Sequence, residues 1–223
     1  MSNTILKLSQ ATREVNSGSN KVVLLDNLNL EVKEGEFISL MGPSGSGKST
    51  LLNCIGMLDS FTGGGYVFLG EPVHSMKERS KSKLYKEYIG FVFQAYHLID
   101  ELTVWENIET PLLYKSIKSA ERKALVADML DRFNIVGKKD LFPVQLSGGQ
   151  QQLVGVARAL IGKPKLLLAD EPTGNLNSKQ STEIMELFTE LNKEGVTIIQ
   201  ATHSEKNASY GSRIINLLDG KIV

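Results

Sequence analysis

Phe37-Ile38-Ser39-Leu40-Met41, followed at once by Gly42-Pro43-Ser44-Gly45-Ser46-Gly47-Lys48-Ser49-Thr50, decides the fold. The first run is mostly apolar, as expected of a strand buried on both faces. The second has the spacing G-x-x-x-x-G-K-[ST], and no helix breaker follows Ser49 until Gly56. Strand, glycine-rich loop and helix in that order make a P-loop, whose backbone N–H groups cradle phosphate at a helix N-terminus. The glycines let the backbone approach the phosphates. Lys48 supplies charge to the β- and γ-phosphates, and the Ser49 hydroxyl is placed to ligate Mg²⁺.

Outward from this loop, the chain reads as α/β. Ile5-Leu6-Lys7-Leu8, Val22-Val23-Leu24-Leu25 and Asn29-Leu30-Glu31-Val32 read as short strands, and Lys33 to Glu36 as a turn. Gly63-Gly64-Gly65 reads as a loop before a strand over Tyr66 to Leu69. Lys77 to Tyr88 is polar and lysine-rich, a solvated helix face. Ile89 to Phe93 is an apolar strand ending on Gln94. The pattern then turns helical. Thr103 and Glu106 fit a capping box, and Ser119 is a plausible N-cap for a helix with Leu125, Met129, Leu130 and Phe133 on one face.

A second glycine turn, Leu146-Ser147-Gly148-Gly149-Gln150, precedes a helix over Gln150 to Ile161, stopped by Gly162-Lys163-Pro164. Leu166 to Ala169 is a buried strand ending in Asp170 and Glu171. A helix over Lys179 to Lys193 leads to the strand Val196-Thr197-Ile198-Ile199 and then His203. The tail, Arg213 to Ile222, reads as two short strands around Asp219-Gly220.

The composition excludes several classes. The 223 residues suffice for a substantial core, with 41% hydrophobic and 22% charged residues. Lys plus Arg and Asp plus Glu both number 25, which argues against nucleic acid or anionic lipid as the main partner. No apolar run is long enough to span a bilayer, and Met1-Ser2-Asn3-Thr4 lacks the start of a secretory leader. A cytoplasmic location is expected, with any membrane link made through another protein. The single cysteine, Cys54, is expected to be a small buried apolar residue.

Strand ends carry the remaining chemistry. Carboxylates at the C-terminal edge of a parallel sheet lie where ligands bind. Asp170 is suited to hold Mg²⁺, directly or through water, and Glu171 to orient or deprotonate an attacking water. Gln94 and His203, each after an apolar strand, are placed to meet the nucleotide or its water.

The ordered set of P-loop, Gln94, Leu146 to Gln150, Asp170-Glu171 and His203 resembles the ATP-binding cassette (ABC) ATPases over nearly the whole chain. Gly42 to Ser49 matches Walker A, Gln94 the Q-loop, Leu146 to Gln150 the signature, Leu166 to Glu171 Walker B, and His203 the switch histidine. Gly90 to Gln94, Glu106-Asn107-Ile108, Pro111-Leu112-Leu113 and Asp170 to Leu176 look most like the branch containing LolD- and MacB-type ATPases.

The resemblance implies a single nucleotide-binding domain over 1–223. Its P-loop NTPase (RecA-like) core would take 1–94 and 158–223, with an antiparallel β subdomain and a helical signature subdomain over 95–157. It implies ATP and Mg²⁺ as ligands. Gly42, Pro43, Ser44, Gly45, Ser46, Gly47, Lys48, Ser49 and Thr50 would bind the nucleotide, with Ser147, Gly148, Gly149 and Gln150 acting from a second subunit. Ser49, Gln94 and Asp170 would hold the metal, and Glu171, His203 and Gln94 would serve catalysis. The expected partners are a second copy, closing head to tail on ATP, and an integral membrane permease. The chain would then sit at the inner face of the membrane and power a transporter or a mechanotransmission complex. A slow ATP-dependent clamp of the cell-division type is the alternative.

Three positions depart from the family pattern. Val15 stands where an aromatic residue usually stacks on adenine. Asn177 replaces the usual Asp after Gly-Asn-Leu. Leu153 replaces the Arg that commonly follows Gln-Gln-Gln. These changes bear on base selectivity and on the rate or coupling of hydrolysis.

Overall fold

The computed structural model describes residues 3–18 and 20–223, so the leader reading at Met1-Ser2 lies outside the described residues. Two sheets organise the chain. The first is antiparallel, formed by β1 (Thr4–Ser17), β2 (Asn20–Lys33), β4 (Gly63–Phe68) and β5 (Glu71–Pro72) in the order β2-β1-β4-β5. The second is six-stranded, in the order β10-β9-β3-β8-β7-β6. Its strands are β3 (Phe37–Met41), β6 (Ile89–Phe93), β7 (Leu166–Asp170), β8 (Thr197–Ala201), β9 (Arg213–Leu218) and β10 (Lys221–Ile222). All neighbours in it pair parallel except β9 and β10, which form the hairpin expected around Asp219-Gly220.

The helices are α1 (Lys48–Ile55), α2 (Glu78–Tyr88), α3 (Val104–Glu109), α4 (Ser119–Arg132), α5 (Gly148–Leu160), α6 (Ser178–Lys193) and α7 (Glu205–Ala208). Period-two alternation splits β7 between two cores. Leu166 and Leu168 face one cluster with Leu51, Leu52 and Ile55 of α1 and the antiparallel sheet's Leu6, Leu8, Leu25 and Leu28. Leu167 and Ala169 face the other, with Ile108, Val126, Leu130, Val154 and Phe188 of α3 to α6. A strand apolar on both faces is what a sheet covered on both sides requires.

Several local expectations change. Gly63-Gly64-Gly65 is strand, not loop, because it pairs with Ser9 and Thr12 of β1. The register slips there, and Gly64 takes φ +81 where a Cβ would strike the Gln10 carbonyl. This is a bulge, and glycine removes its steric cost. The Ile5–Leu8 and Val22–Leu25 runs are parts of longer strands, because β1 and β2 pair almost end to end. Ser119 is the first helical residue rather than the cap; Lys118 holds the cap position and makes no side-chain cap bond. On α4 the buried residues are Val126 and Leu130, with Leu125 and Met129 only partly covered. The Thr103–Glu106 capping box forms as read. Helix α5 begins at Gly148, two residues before Gln150, and runs unbroken past residue 157. Cys54 is 1% exposed, and burial, then the nearby Asp59, pushes its thiol pKa up to about 12.

Register decides where the site lies. Leu40 pairs with Ala201, Ala201 with Asp170, and Asp170 with Phe93. The residues that follow these strands therefore leave the sheet on one edge, the carboxyl edge where open α/β sheets bind ligands.

Candidate functional site

At that edge lies a cleft of about 880 Å³. Ser44, Gly45, Gly47, Lys48, Ser49 and Thr50 line one wall, with Gln94, Glu171 and His203 opposite. Gly47 caps α1 at φ +103, and no side chain caps that helix. Its N-terminus therefore offers backbone donors and the positive end of the helix dipole to a ligand. The Lys48 ammonium is folded over its own loop, donating to the carbonyls of Gly42 at 2.8 Å and Pro43 at 2.9 Å.

The remaining loop residues build the wall rather than line it. A Cβ on Gly42 would meet the Leu217 carbonyl. The Ser46 carbonyl accepts the Gly220 N–H at 3.0 Å, which ties the loop to the C-terminal hairpin.

Glu171 lies just past β7, not within it. It holds φ +45, and its N–H donates to the Ala201 carbonyl at 3.0 Å. A non-glycine residue in this region is strained, and strain of this kind clusters where geometry serves chemistry. Glu171 Oε1 is 2.9 Å from His203 Nδ1. The His203 side chain is largely exposed, whereas that of Glu171 is mostly covered. The carboxylate is thus held in place while the imidazole borders solvent.

Asp170 Oδ1 is buried with no hydrogen-bond partner. An orphaned carboxylate oxygen is costly unless a cation or its water satisfies it. Asp170 is not among the residues that line the cleft, whereas Ser49 and Gln94 are; a hydroxyl, an amide and a carboxylate oxygen are the donor types that Mg²⁺ takes. Gln94 is fixed by a reciprocal pair with Asn175: its Nε2 donates to Asn175 Oδ1 at 3.3 Å, and Asn175 Nδ2 donates to its carbonyl at 3.0 Å.

Sequence reasoning missed Asn175 as a functional neighbour, although Gly174-Asn175-Leu176 was a visible signal. It also missed Val22, Val23, Leu24, Asp219 and Gly220, which line the same cleft. No local pattern marks these, because their place depends on the contacts that β2 makes with α1 and β10.

The second glycine turn is elsewhere: none of Ser147, Gly148, Gly149 and Gln150 lines the cleft. Ser147 caps α5, accepting the Gln150 N–H at 3.4 Å, while Gln150 Oε1 accepts the Ser147 N–H at 3.0 Å. Asn177 caps α6 in the same manner, accepting the Gln180 N–H at 3.0 Å. Leu153 packs half-buried against the helical core. Among the described residues no helix is long and apolar enough to cross a membrane.

Comparison with known proteins agrees with this architecture. The ABC transporter family profile matches residues 25–174. An uncharacterized ABC transporter ATP-binding protein of Methanocaldococcus jannaschii is 43% identical over 92% of both chains. The macrolide export ATP-binding/permease protein MacB of Vibrio parahaemolyticus is 42% identical over the whole of this chain, which spans 34% of that protein. A dimeric bacterial ABC transporter cassette of known structure superposes with a TM-score of 0.91 at 42% identity, covering 97% of this chain and 96% of the other. The same cassette, in a dimeric post-hydrolysis state bound to ADP and phosphate, also gives 0.91. With the family profile over 25–174 and relatives that match more than nine-tenths of its length, the chain belongs to the ABC transporter family as an ATP-binding cassette.

Proposed function

We propose that the chain is the ATP-hydrolysing subunit of a membrane transporter or a MacB-like mechanotransmission complex, driven by ATP-dependent closure of a head-to-tail homodimer. One observation carries this reading. The P-loop, Glu171 and His203 share a cleft, whereas none of Ser147 to Gln150 at the start of α5 lines it. A second copy supplying Ser147 to Gln150 would complete the phosphate cradle.

In the closed state the N–H groups of Gly45 to Ser49 and the Lys48 ammonium bind the β- and γ-phosphates. Lys48 would have to leave the Gly42 and Pro43 carbonyls to do so. Ser49, Gln94 and Asp170 would hold Mg²⁺, which would supply charge neutralisation at the phosphates. Glu171 orients a water and takes its proton, and His203 holds that carboxylate in line. Hydrolysis removes the γ-phosphate that bridges the two copies, and the dimer reopens.

The permease would dock in a groove of about 310 Å³ between the core and the helical region, lined by Tyr85, Ile89, Phe91, Pro111 and Tyr114. The cassette would then lie on the inner face of the membrane. A slower clamp or regulator is the second reading. It draws on Asn177, which caps α6 without a charge, and on Leu153, whose side chain is committed to packing.

Sizing chromatography of Glu171→Gln with and without Mg-ATP tests the mechanism. A dimer with ATP and a monomer without it is expected, since bound ATP is then not cleaved. A mutant that stays monomeric at saturating ATP would rule out the closed clamp. Wild-type turnover separates transporter from clamp.

A further inference from the structure

Arg158 of α5 has a role that none of the motifs covers. Its guanidinium donates to the Tyr96 carbonyl at 3.0 Å and to the His97 carbonyl at 2.7 Å. Both acceptors belong to the loop that begins at Gln94, and that loop is strained. Tyr96 and His97 hold φ of 60° and 48°, and the His97 N–H closes onto the Ala95 carbonyl at 2.6 Å. A three-residue turn with a non-glycine centre at positive φ is rare and unfavourable. Such a turn persists only when its surroundings hold it. Two charge-assisted bonds from one planar fork are a strong way to do so.

The loop touches three surfaces. Gln94 lines the nucleotide cleft. Tyr96 sets its hydroxyl against Gly148 of the signature turn, where a Cβ would lie 2.7 Å away. The His97 ring lies tilted against Phe93, centroids 4.5 Å apart, and lines the groove between core and helical region, as does Arg158 itself. Arg158 thus joins the signature helix to the backbone that aims Gln94.

We propose that Arg158 is a positioning residue: it clamps the Gln94–His97 loop in its strained turn, so that Gln94 stays registered with the cleft and with the signature turn. This rests on the ATPase reading above. Without the fork the turn relaxes, and Gln94 loses its place opposite the P-loop. Nucleotide held by the P-loop remains bound, but turnover falls.

Steady-state hydrolysis of Mg-ATP by the wild-type chain, Arg158→Lys and Arg158→Met tests this, with folding followed by circular dichroism. Arg158→Met should lower kcat at least tenfold with KM within threefold of wild type. Arg158→Lys, which keeps the charge but not the rigid planar fork, should fall between the two. Wild-type kcat in either variant, or equal losses in kcat and apparent ATP affinity, would overturn the proposal. So would loss of fold in both variants, which would make the contact purely structural. A wild-type chain that binds no ATP would instead remove the ATPase reading itself, and this proposal with it.

Discussion

The chain opens two helices with glycine-rich turns, and they are built to opposite ends. Gly42 to Ser49 leaves the N-terminus of α1 without a side-chain cap, at the edge of a large cleft. Leu146 to Gln150 closes the N-terminus of α5 on itself through the Ser147–Gln150 capping box. The first turn has donors ready for a ligand inside its own chain. The second has its side-chain groups satisfied already, so a ligand gains from it only by approaching from outside. Similar composition therefore gives one uncapped turn inside the cleft and one self-capped turn outside it, which under the proposed mechanism would act on a second copy.

The largest expected effect probes that asymmetry directly. Ser147→Arg should leave nucleotide affinity of the single chain within about twofold yet lower turnover at least ~100-fold, the scale on which loss of a transition-state donor is felt. Fluorescent-nucleotide titration and phosphate release measure the two. If affinity and turnover fell together, the two turns would share one chain's site and the contrast would collapse.

Lys48→Ala should act on the other side. Hydrogen bonds to charged groups contribute about 1.5–3 kcal/mol, so affinity should fall roughly 10- to 150-fold. The same titration reads it. An unchanged dissociation constant would mean that Lys48 stays on the Gly42 and Pro43 carbonyls when nucleotide binds.

The open cleft can be divided further. Its P-loop residues are rich in donors, whereas Val22 and Val23 give an aliphatic part of the lining, and no Phe, Tyr or Trp lines it among the described residues. ATP and GTP should therefore bind within about tenfold of each other, a difference of about 1.4 kcal/mol. Val15 pairs directly with Val22 across the β1–β2 ladder, on the same face of the hairpin. Val15→Tyr should accordingly tighten both nucleotides. Competition binding decides, and a hundredfold preference for ATP would show that the cleft reads the base.

The smallest effect concerns the self-capped turn alone. Ser147→Ala removes an N-cap worth about 1 kcal/mol, which in a chain of this size lowers the melting temperature by roughly 2–4 °C. No change on thermal unfolding would mean that the cap bond at 3.4 Å adds nothing and that α5 is as open as α1.

The sequence alone settled what is encoded locally. Phe37 to Thr50 carries strand, loop and helix within one window, so the P-loop could be read residue by residue, and so could the Thr103–Glu106 box and the Asp219-Gly220 hairpin. The motif order was enough to name the family, because chemistry fixes which residue types must occur. What only the tertiary structure decided depended on pairing at long range. Gly63 to Gly65 became strand because β1 lies beside it, and Val22 and Val23 entered the cleft because β2 packs against α1 and β10. Arg158 found its role because α5 packs against β6 and the loop beyond it. A side chain's type is a local property, but its partners are set by the register and packing of segments far apart in the chain, and no single window contains them.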